Sequence, residues 1–153
     1  AGAEVEFIAS TNGGASFSTP VVINDHLVGG VFSTSDGHQF MPALAVDGTG
    51  VIHASWFDTR NSDTFGFDPE FYDIYASRIT SSSSGYLISP NARVTPNPTN
   101  PTFAAIDSGS SSSEFIGDYA GIAAGVIGGV SYAHPVWTNG GFNNGQLQTA
   151  TLQ

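Results

Sequence analysis

The sequence contains no cysteine and no lysine, and its only basic residues apart from histidine are three arginines. Without cysteine, the chain forms no disulfide and has neither a thiol nucleophile nor a thiolate ligand for zinc. Thirteen acidic residues outnumber the arginines, so no basic surface is available to neutralise the phosphates of nucleic acids or of anionic membranes. No apolar stretch approaches the roughly 20 residues that a membrane-spanning helix requires.

Strong helix formers are scarce, whereas glycine, small polar residues and aromatic residues are plentiful. The 153 residues include 19 glycines and 11 phenylalanines. This composition favours strands and turns, and a chain of this length buries a core of its own. We therefore predict a single all-β domain over residues 1–153. The lack of lysine beside abundant serine, threonine and asparagine is typical of secreted, extracellular proteins.

The chain carries a partial internal repeat. Segment 40–60 begins with an apolar strand, turns at residues 47–50 and continues to Trp56. Segment 115–139 repeats this order around a Gly-Gly turn and reaches Trp137. Repeated short strands of this kind indicate blades or stacked sheets.

The predicted strands divide the chain into one complete antiparallel four-stranded unit and two incomplete ones. Residues 40–94 form the complete unit, residues 1–23 supply strands three and four of a unit, and residues 115–153 supply strands one to three of another. Residues 95–114 form a loop rich in proline and serine.

A closed propeller needs about four to eight blades, so we predict an incomplete β-propeller or a propeller-derived sheet assembly. Three explanations stay open. The chain is a fragment of a longer polypeptide, it completes its sheets with neighbouring copies, or it folds as a smaller β-sandwich.

Residues Ser10-Thr11-Asn12-Gly13-Gly14-Ala15-Ser16-Phe17 resemble the Asp-box, or BNR repeat, whose pattern is Ser-x-Asp-x-Gly-x-Thr-Trp. Asn12, Ser16 and Phe17 replace the Asp, Thr and Trp of that pattern. Segments 40–60 and 115–139 are similar to strand pairs of sialidase-like β-propellers of secreted bacterial proteins. The chain thus resembles about two to three blades of that family.

The resemblance implies a six-bladed propeller and glycan chemistry. In sialidases, three arginines grip the substrate carboxylate, a Tyr-Glu pair provides the nucleophile and an aspartate is the acid/base. The planar fork of arginine suits bidentate carboxylate binding. The candidates are Arg60, Arg78 and Arg93, with Asp118 as a candidate acid or turn cap. The blades that usually supply the other active-site residues are absent from this sequence, so the isolated chain is expected not to be catalytic.

The densest acidic segment spans positions 58 to 73. Its carboxylates are those of Asp58, Asp63, Asp68, Glu70 and Asp73. Calcium binds about six to eight hard oxygen ligands in a flexible arrangement, and these side chains are candidate ligands. A solvated acidic loop capped by Arg60 is the alternative. The sequence therefore predicts a candidate calcium site and no other cofactor.

Trp56 and Trp137 occupy the same position in the repeat. Matching positions in a repeat indicate shared core packing, and a platform for stacking sugar rings is the functional alternative.

Two hypotheses for function follow from these patterns. In the first, the chain is a secreted structural or glycan-binding module of sialidase-like ancestry that assembles with copies of itself by strand addition. In the second, it is a fragment of a propeller glycoside hydrolase resembling an exo-sialidase, whose partner is the rest of a longer polypeptide.

Overall fold

The structure, a computed structural model, describes residues 2–25, 27–28, 31–32, 37–62, 71–100, 116, 119–139 and 146–153. These residues form antiparallel β-strands and no α-helix, which confirms the all-β prediction. None of the described segments is a helix that could cross a membrane. The strands are β1 (Glu6–Phe7), β2 (Val21–Val22), β3 (Leu27–Val28), β4 (Val31–Phe32), β5 (Gln39–Val46), β6 (Ile52–Asp58), β7 (Asp73–Ser82), β8 (Gly85–Ile88), β9 (Ala92–Arg93), β10 (Gly121–Ile127), β11 (Val130–Asn139) and β12 (Gln146–Thr149).

The largest sheet has the strand order β5–β6–β7–β8, and β9 also pairs with β7. We call it the central sheet. The hairpin predicted around residues 47–50 is confirmed, since Val46 pairs with Ile52 across it. The Asp47 carboxylate closes the turn by accepting the backbone N–H of Thr49 at 2.8 Å. A short aspartate side chain stabilises a turn in this way because it reaches a backbone donor two residues ahead.

One face of the central sheet packs against the N-terminal segment, which includes the two-stranded sheet β1–β2. Because successive side chains of a strand point to opposite faces, Trp56 and its cross-strand partner Tyr75 share this face. The buried core on this side comprises Val5, Ile23, Ala54, Trp56, Tyr75 and Ile79. Full burial of each large apolar side chain contributes about 1.5–3 kcal/mol.

The opposite face packs against the three-stranded sheet β10–β11–β12. Its core joins Phe57, Tyr72 and Ile74 of the central sheet region to Trp137 of β11. The Tyr72 hydroxyl donates a hydrogen bond to the carbonyl oxygen of Thr138 at 2.6 Å. The central sheet is therefore the middle of three stacked layers.

Two local sequence features interrupt the central sheet. The segment from residue 86 to 94, at the end of the predicted complete unit, is divided into β8 and β9, because Pro90 has no N–H to give to a ladder. Beside it, the Ser89 hydroxyl accepts the N–H of Arg78 at 2.9 Å. In β5 the register shifts between Phe40 and Ala43, which marks a bulge of the kind that bends an edge strand.

The Asp-box-like segment forms a turn held by its own side chains. Asn12 Oδ1 accepts the backbone N–H of Ser16 at 3.0 Å, and Ser10 Oγ accepts that of Gly14 at 2.8 Å. Gly13 and Gly14 have φ angles of 72° and 88°, a region that glycine enters at little cost. Asn12 therefore supplies the acceptor that an aspartate would supply.

The ends of the chain are less regular than the sequence pattern predicts. The last strand of the unit predicted over residues 115–153 is β12, Gln146–Thr149, followed by an isolated bridge between Ala133 and Leu152. Within the predicted loop at residues 95–114, Thr99 bridges to Tyr72. Positions 101–114 of that loop lie outside the described residues.

The close approach of Gly37 to Arg60 gives the first prediction. A Cβ atom at Gly37 would lie 2.7 Å from both the backbone nitrogen and the Cα of Arg60. We expect Gly37→Ala to lower the free energy of unfolding by about 1–3 kcal/mol because the backbone must shift. Urea unfolding measures this change.

The matched control is Gly48→Ala, whose Cβ would meet only the Val126 side chain, at 3.9 Å. We expect little loss of stability in this variant. Equal destabilisation by both substitutions would contradict the proposed contact.

Candidate functional site

The buried polar centre of the molecule is the pair Asp58 and Arg60. Asp58 is fully buried and Arg60 is 2% exposed. β6 ends at Asp58 and the chain turns at Arg60, so the arginine side chain returns to the carboxylate two residues before it. Its Nε and Nη2 atoms donate to Asp58 Oδ2 at 2.9 and 2.6 Å. Both guanidinium donors thus converge on one carboxylate oxygen, and such charge-assisted hydrogen bonds are stronger than neutral ones.

Asp58 also gathers donors from its neighbours. Trp56 Nε1 donates to Asp58 Oδ2 at 3.0 Å, and Gln39 Nε2 donates to Oδ1 at 3.2 Å. The backbone N–H of Arg60 bonds to Oδ1 at 2.9 Å. A buried carboxylate is stable only when such donors compensate the loss of water. A cation bound at Asp58 would have to replace these contacts.

Arg60 carries the network to other parts of the chain. Its Nη1 donates to Asp25 at 2.7 Å, and Nη2 donates to Asn91 at 3.1 Å. The guanidinium carbon lies 4.0 Å from the centre of the Tyr75 ring. Burial lowers the pKa of Arg60, but the bonds to Asp58 and Asp25 outweigh it and hold the pKa above its ordinary value. Arg60 is therefore a permanent cation that ties the N-terminal segment to the central sheet.

Asp73 is the cross-strand partner of Asp58 and forms a second compensated site. Its Oδ1 accepts Arg93 Nη2 at 2.8 Å and Thr95 Oγ1 at 2.6 Å. Its Oδ2 accepts Asn61 Nδ2 at 2.7 Å. These donors satisfy both oxygens of a side chain that is 1% exposed, so Asp73 is held inside the fold by three neighbouring side chains.

The structure separates the three candidate arginines. Arg60 and Arg93 are each paired with a carboxylate on one face of the central sheet. Arg78 lies three positions beyond Tyr75 on β7 and therefore on the other face; its cross-strand partner is His53. The candidate acid Asp118 lies outside the described residues.

The candidate calcium ligands divide in the same way. Asp58 and Asp73 accept hydrogen bonds from arginine, as described above, while Asp63, Asp68 and Glu70 lie outside the described residues. In the part of the chain that the structure describes, no group of three or more His, Asp or Glu side chains could hold a metal. Calcium binding stays a prediction.

Both repeat tryptophans are core residues. Trp56 is 1% exposed and Trp137 is 3% exposed, so neither presents a ring face to solvent. Their indole nitrogens differ, because Trp56 Nε1 donates to Asp58 whereas Trp137 Nε1 is buried without a hydrogen-bond partner among the described residues. Near Trp137, the side-chain amide of Asn139 donates a hydrogen bond to Gln148 Oε1 at 2.6 Å.

A third polar cluster, which the sequence reasoning missed, joins the central sheet to the C-terminal sheet. His53 Nε2 lies 2.9 Å from Ser131 Oγ and 3.4 Å from Asp47 Oδ2, and Ser131 Oγ donates to Asp47. A hydrolytic triad needs serine and aspartate on different imidazole nitrogens. Here both contact the same nitrogen and the serine proton is directed to Asp47, so the cluster is a structural bridge.

Protein-family models, curated proteins and solved structures give no match to this chain. The chemistry of the described side chains is therefore the basis for assigning a function.

The two tryptophans give a matched pair of variants. Trp56→Phe removes a bond to a buried carboxylate, which contributes about 1.5–3 kcal/mol. Trp137→Phe removes a donor that has no partner among the described residues. We expect Trp56→Phe to destabilise the protein by about 2 kcal/mol more than Trp137→Phe in urea unfolding. Equal losses would show that ring volume alone determines both costs.

The Asp47 cluster gives a prediction for acid stability. Hydrogen bonds from Ser131 and Thr49 hold the pKa of Asp47 well below its usual range. A depressed carboxyl pKa stabilises the fold above the unfolded pKa of about 3.9, and this contribution is lost as the pH falls further. The wild-type protein should therefore melt at a higher temperature than Asp47→Asn at pH 7, and the difference should shrink below about pH 4. A difference that stays constant down to pH 2 would contradict this assignment.

Proposed function

We propose that the chain is an extracellular structural module that assembles with neighbouring copies by adding strands to its open sheets. The observation that supports this proposal is an edge of β1 that pairs with no described strand and lies beside an apolar groove. The stacking of β1–β2, the central sheet and β10–β12 further supports a propeller-derived arrangement of sialidase-like ancestry. Each outer layer then corresponds to an incomplete blade.

The edge of β1 follows from its hydrogen-bond pattern. Val5 accepts a backbone bond from Ile23 at 3.0 Å, and Ala9 accepts one from Ser18 at 2.8 Å. Backbone groups alternate in direction along an antiparallel strand, so those of Glu6 and Ile8 point away from β2. Among the described strands, β1 pairs only with β2. This edge is a template for another strand.

An apolar groove runs beside this edge. It has a volume of about 230 Å³ and lies between β1 and β5, with Phe7, Ile8, Pro42 and Leu44 among its lining residues. Leu44 is 60% exposed. A strand added to β1 would cover this side chain and supply main-chain hydrogen bonds, the two contributions that drive recognition by strand addition.

The C-terminal sheet offers a complementary element. β12 pairs only with β11 among the described strands, and Leu147 on β12 is 78% exposed. On the same sheet Ile127 is 70% exposed. Contact between the C-terminal sheet of one copy and β1 of the next is head-to-tail, and such contacts build rings or filaments.

The glycan-binding part of the hypothesis receives less support than the structural part. Sugar stacking needs an exposed ring face, and the rings of Trp56 and Trp137 are buried. The ion pairs of Arg60 with Asp58 and Asp25 likewise stabilise the fold without leaving Arg60 available to a ligand. We therefore favour a scaffold whose assembly is its function.

Substitution at the β1 edge tests the proposal. Glu6→Pro removes the N–H that faces the open edge and leaves the bonds toward β2 in place, and proline is tolerated at sheet edges. We expect the wild-type protein to form oligomers that grow with concentration in analytical ultracentrifugation. Glu6→Pro should shift the population to monomer.

The control is Glu6→Gln, which also removes the charge but keeps the backbone N–H. It should assemble at least as well as the wild type, because the net charge of −10 opposes association. A wild-type protein that stays monomeric, or equal assembly of the proline and glutamine variants, would overturn the proposal.

A further inference from the structure

One edge of β12 is covered by no described strand, and its hydrogen bonds show which residues face that edge. Ala133 and Leu152 exchange two backbone bonds, of 3.0 and 2.9 Å, and the register between β11 and the C-terminal segment is unchanged from this pair through β12. Backbone groups alternate in direction along an antiparallel strand. Those of Gln148 therefore point to β11, whereas those of Leu147 and Thr149 point to the uncovered edge.

The apolar groove beside β1 lies on the core-facing side of that strand. Buried core residues, among them Val5 and Ile79, line it. Because successive side chains of a strand point to opposite faces, Phe7 lies on the same side as Val5, and Glu6 lies on the other side with Ile8. A side chain of an added strand therefore reaches the groove only from the face that Val5 and Phe7 share.

The direction of an added β12 strand decides which of its side chains reach the groove. In an antiparallel pair, residues whose backbone groups point at each other lie directly opposite, so Leu147 would share the outer face with Glu6 and Ile8. In a parallel pair, a residue bonds to the two neighbours of the residue opposite it. Gln146 or Gln148 then lies opposite Glu6, and Leu147 lies on the groove side.

We propose that β12 of a neighbouring copy adds to β1 in the parallel direction and fills the groove with Leu147. This inference rests on the assembly proposed above, and it specifies the partner strand and its direction. Leu147 is 78% exposed, more than any other large aliphatic side chain in the described part of the chain. Its burial supplies a hydrophobic driving force, which offsets the slightly lower stability of a parallel ladder.

Charge favours β12 over a second copy of β1 as the added strand. A β1–β1 pair would bring Glu4 and Glu6 of both copies onto one short ladder, where like charges are destabilising. Residues 146–153, in contrast, have no charged side chain. Because Gln148 Oε1 already accepts a hydrogen bond from Asn139 at 2.6 Å, its Nε2 is the end of the amide that offers donors to a carboxylate such as that of Glu6.

Disulfide trapping tests the direction of pairing, because the chain has no cysteine of its own. Glu6→Cys is mixed with a size-tagged second variant and oxidised with copper phenanthroline. Neighbouring strands lie about 4.8 Å apart, which is within the Cα separation that a disulfide spans. On non-reducing gels we expect mixed dimers with Gln146→Cys or Gln148→Cys, which report parallel pairing. Leu147→Cys and Thr149→Cys report antiparallel pairing and should give few.

A pair of leucine variants tests the groove contact. Leu147→Thr should raise the dissociation constant of assembly about tenfold in analytical ultracentrifugation, because it removes the side chain that fills the groove. The control is Leu87→Thr on β8, where the leucine is 61% exposed. This variant should assemble as the wild type does.

The contrary results separate this inference from the proposed function. Glu6→Cys that cross-links chiefly to Leu147→Cys, to Thr149→Cys or to itself would overturn the parallel β1–β12 pair. Assembly by strand addition would still stand if Glu6→Pro disperses the oligomers. Equal assembly of Leu147→Thr and Leu87→Thr would likewise overturn only the groove contact. A wild-type protein that stays monomeric would overturn both proposals.

Discussion

The fold depends on compensating one buried carboxylate, that of Asp58. Its two oxygens accept hydrogen bonds from Trp56, Gln39 and Arg60. Removing one partner from a buried ion pair costs about 3–5 kcal/mol, because the other charge stays buried without compensation. The arrangement therefore fixes where β5, β6 and the turn after β6 must lie relative to one another.

The need to pair buried polar groups also explains how the three layers are joined. On one side, Arg60 reaches Asp25, and a chain of amides links Val5 through Asn24 to Gln39. These polar bonds lie at the margin of an apolar core, so they specify the position of the N-terminal segment while the core supplies the driving force. On the other side, the Asp47–Ser131 bond and the Tyr72 hydroxyl bond attach the C-terminal sheet.

Local features of the sequence predict the turns and most strands, because those depend on neighbours in the chain. The turn at Asp47 and the Asn12 turn form from side chains within four residues of the groups they bind. Besides Asp58, Arg60 has partners that are 35 and 31 positions away, at Asp25 and Asn91. No spacing rule predicts such pairs, since they arise only after the sheets pack.

The acidic segment at positions 58 to 73 likewise shows that partners distant in the sequence are not predicted from local patterns. As a sequence, Asp58 and Asp73 belong to one candidate calcium loop, but the structure gives each its own arginine. The division of β8 from β9 was foreseeable from Pro90, whereas the use of the Ser89 hydroxyl in the ladder was not. The edge of β1 that no described strand covers follows from topology, and it is the observation on which the proposed scaffold function is based.

Asp58 and Arg60 stabilise the fold as one unit. A double-mutant cycle of Asp58→Asn and Arg60→Met, measured by urea unfolding, tests it most directly. We expect a coupling free energy of at least about 2 kcal/mol, with the double variant more stable than the sum of the single losses implies. Additive losses within about 0.5 kcal/mol would contradict it.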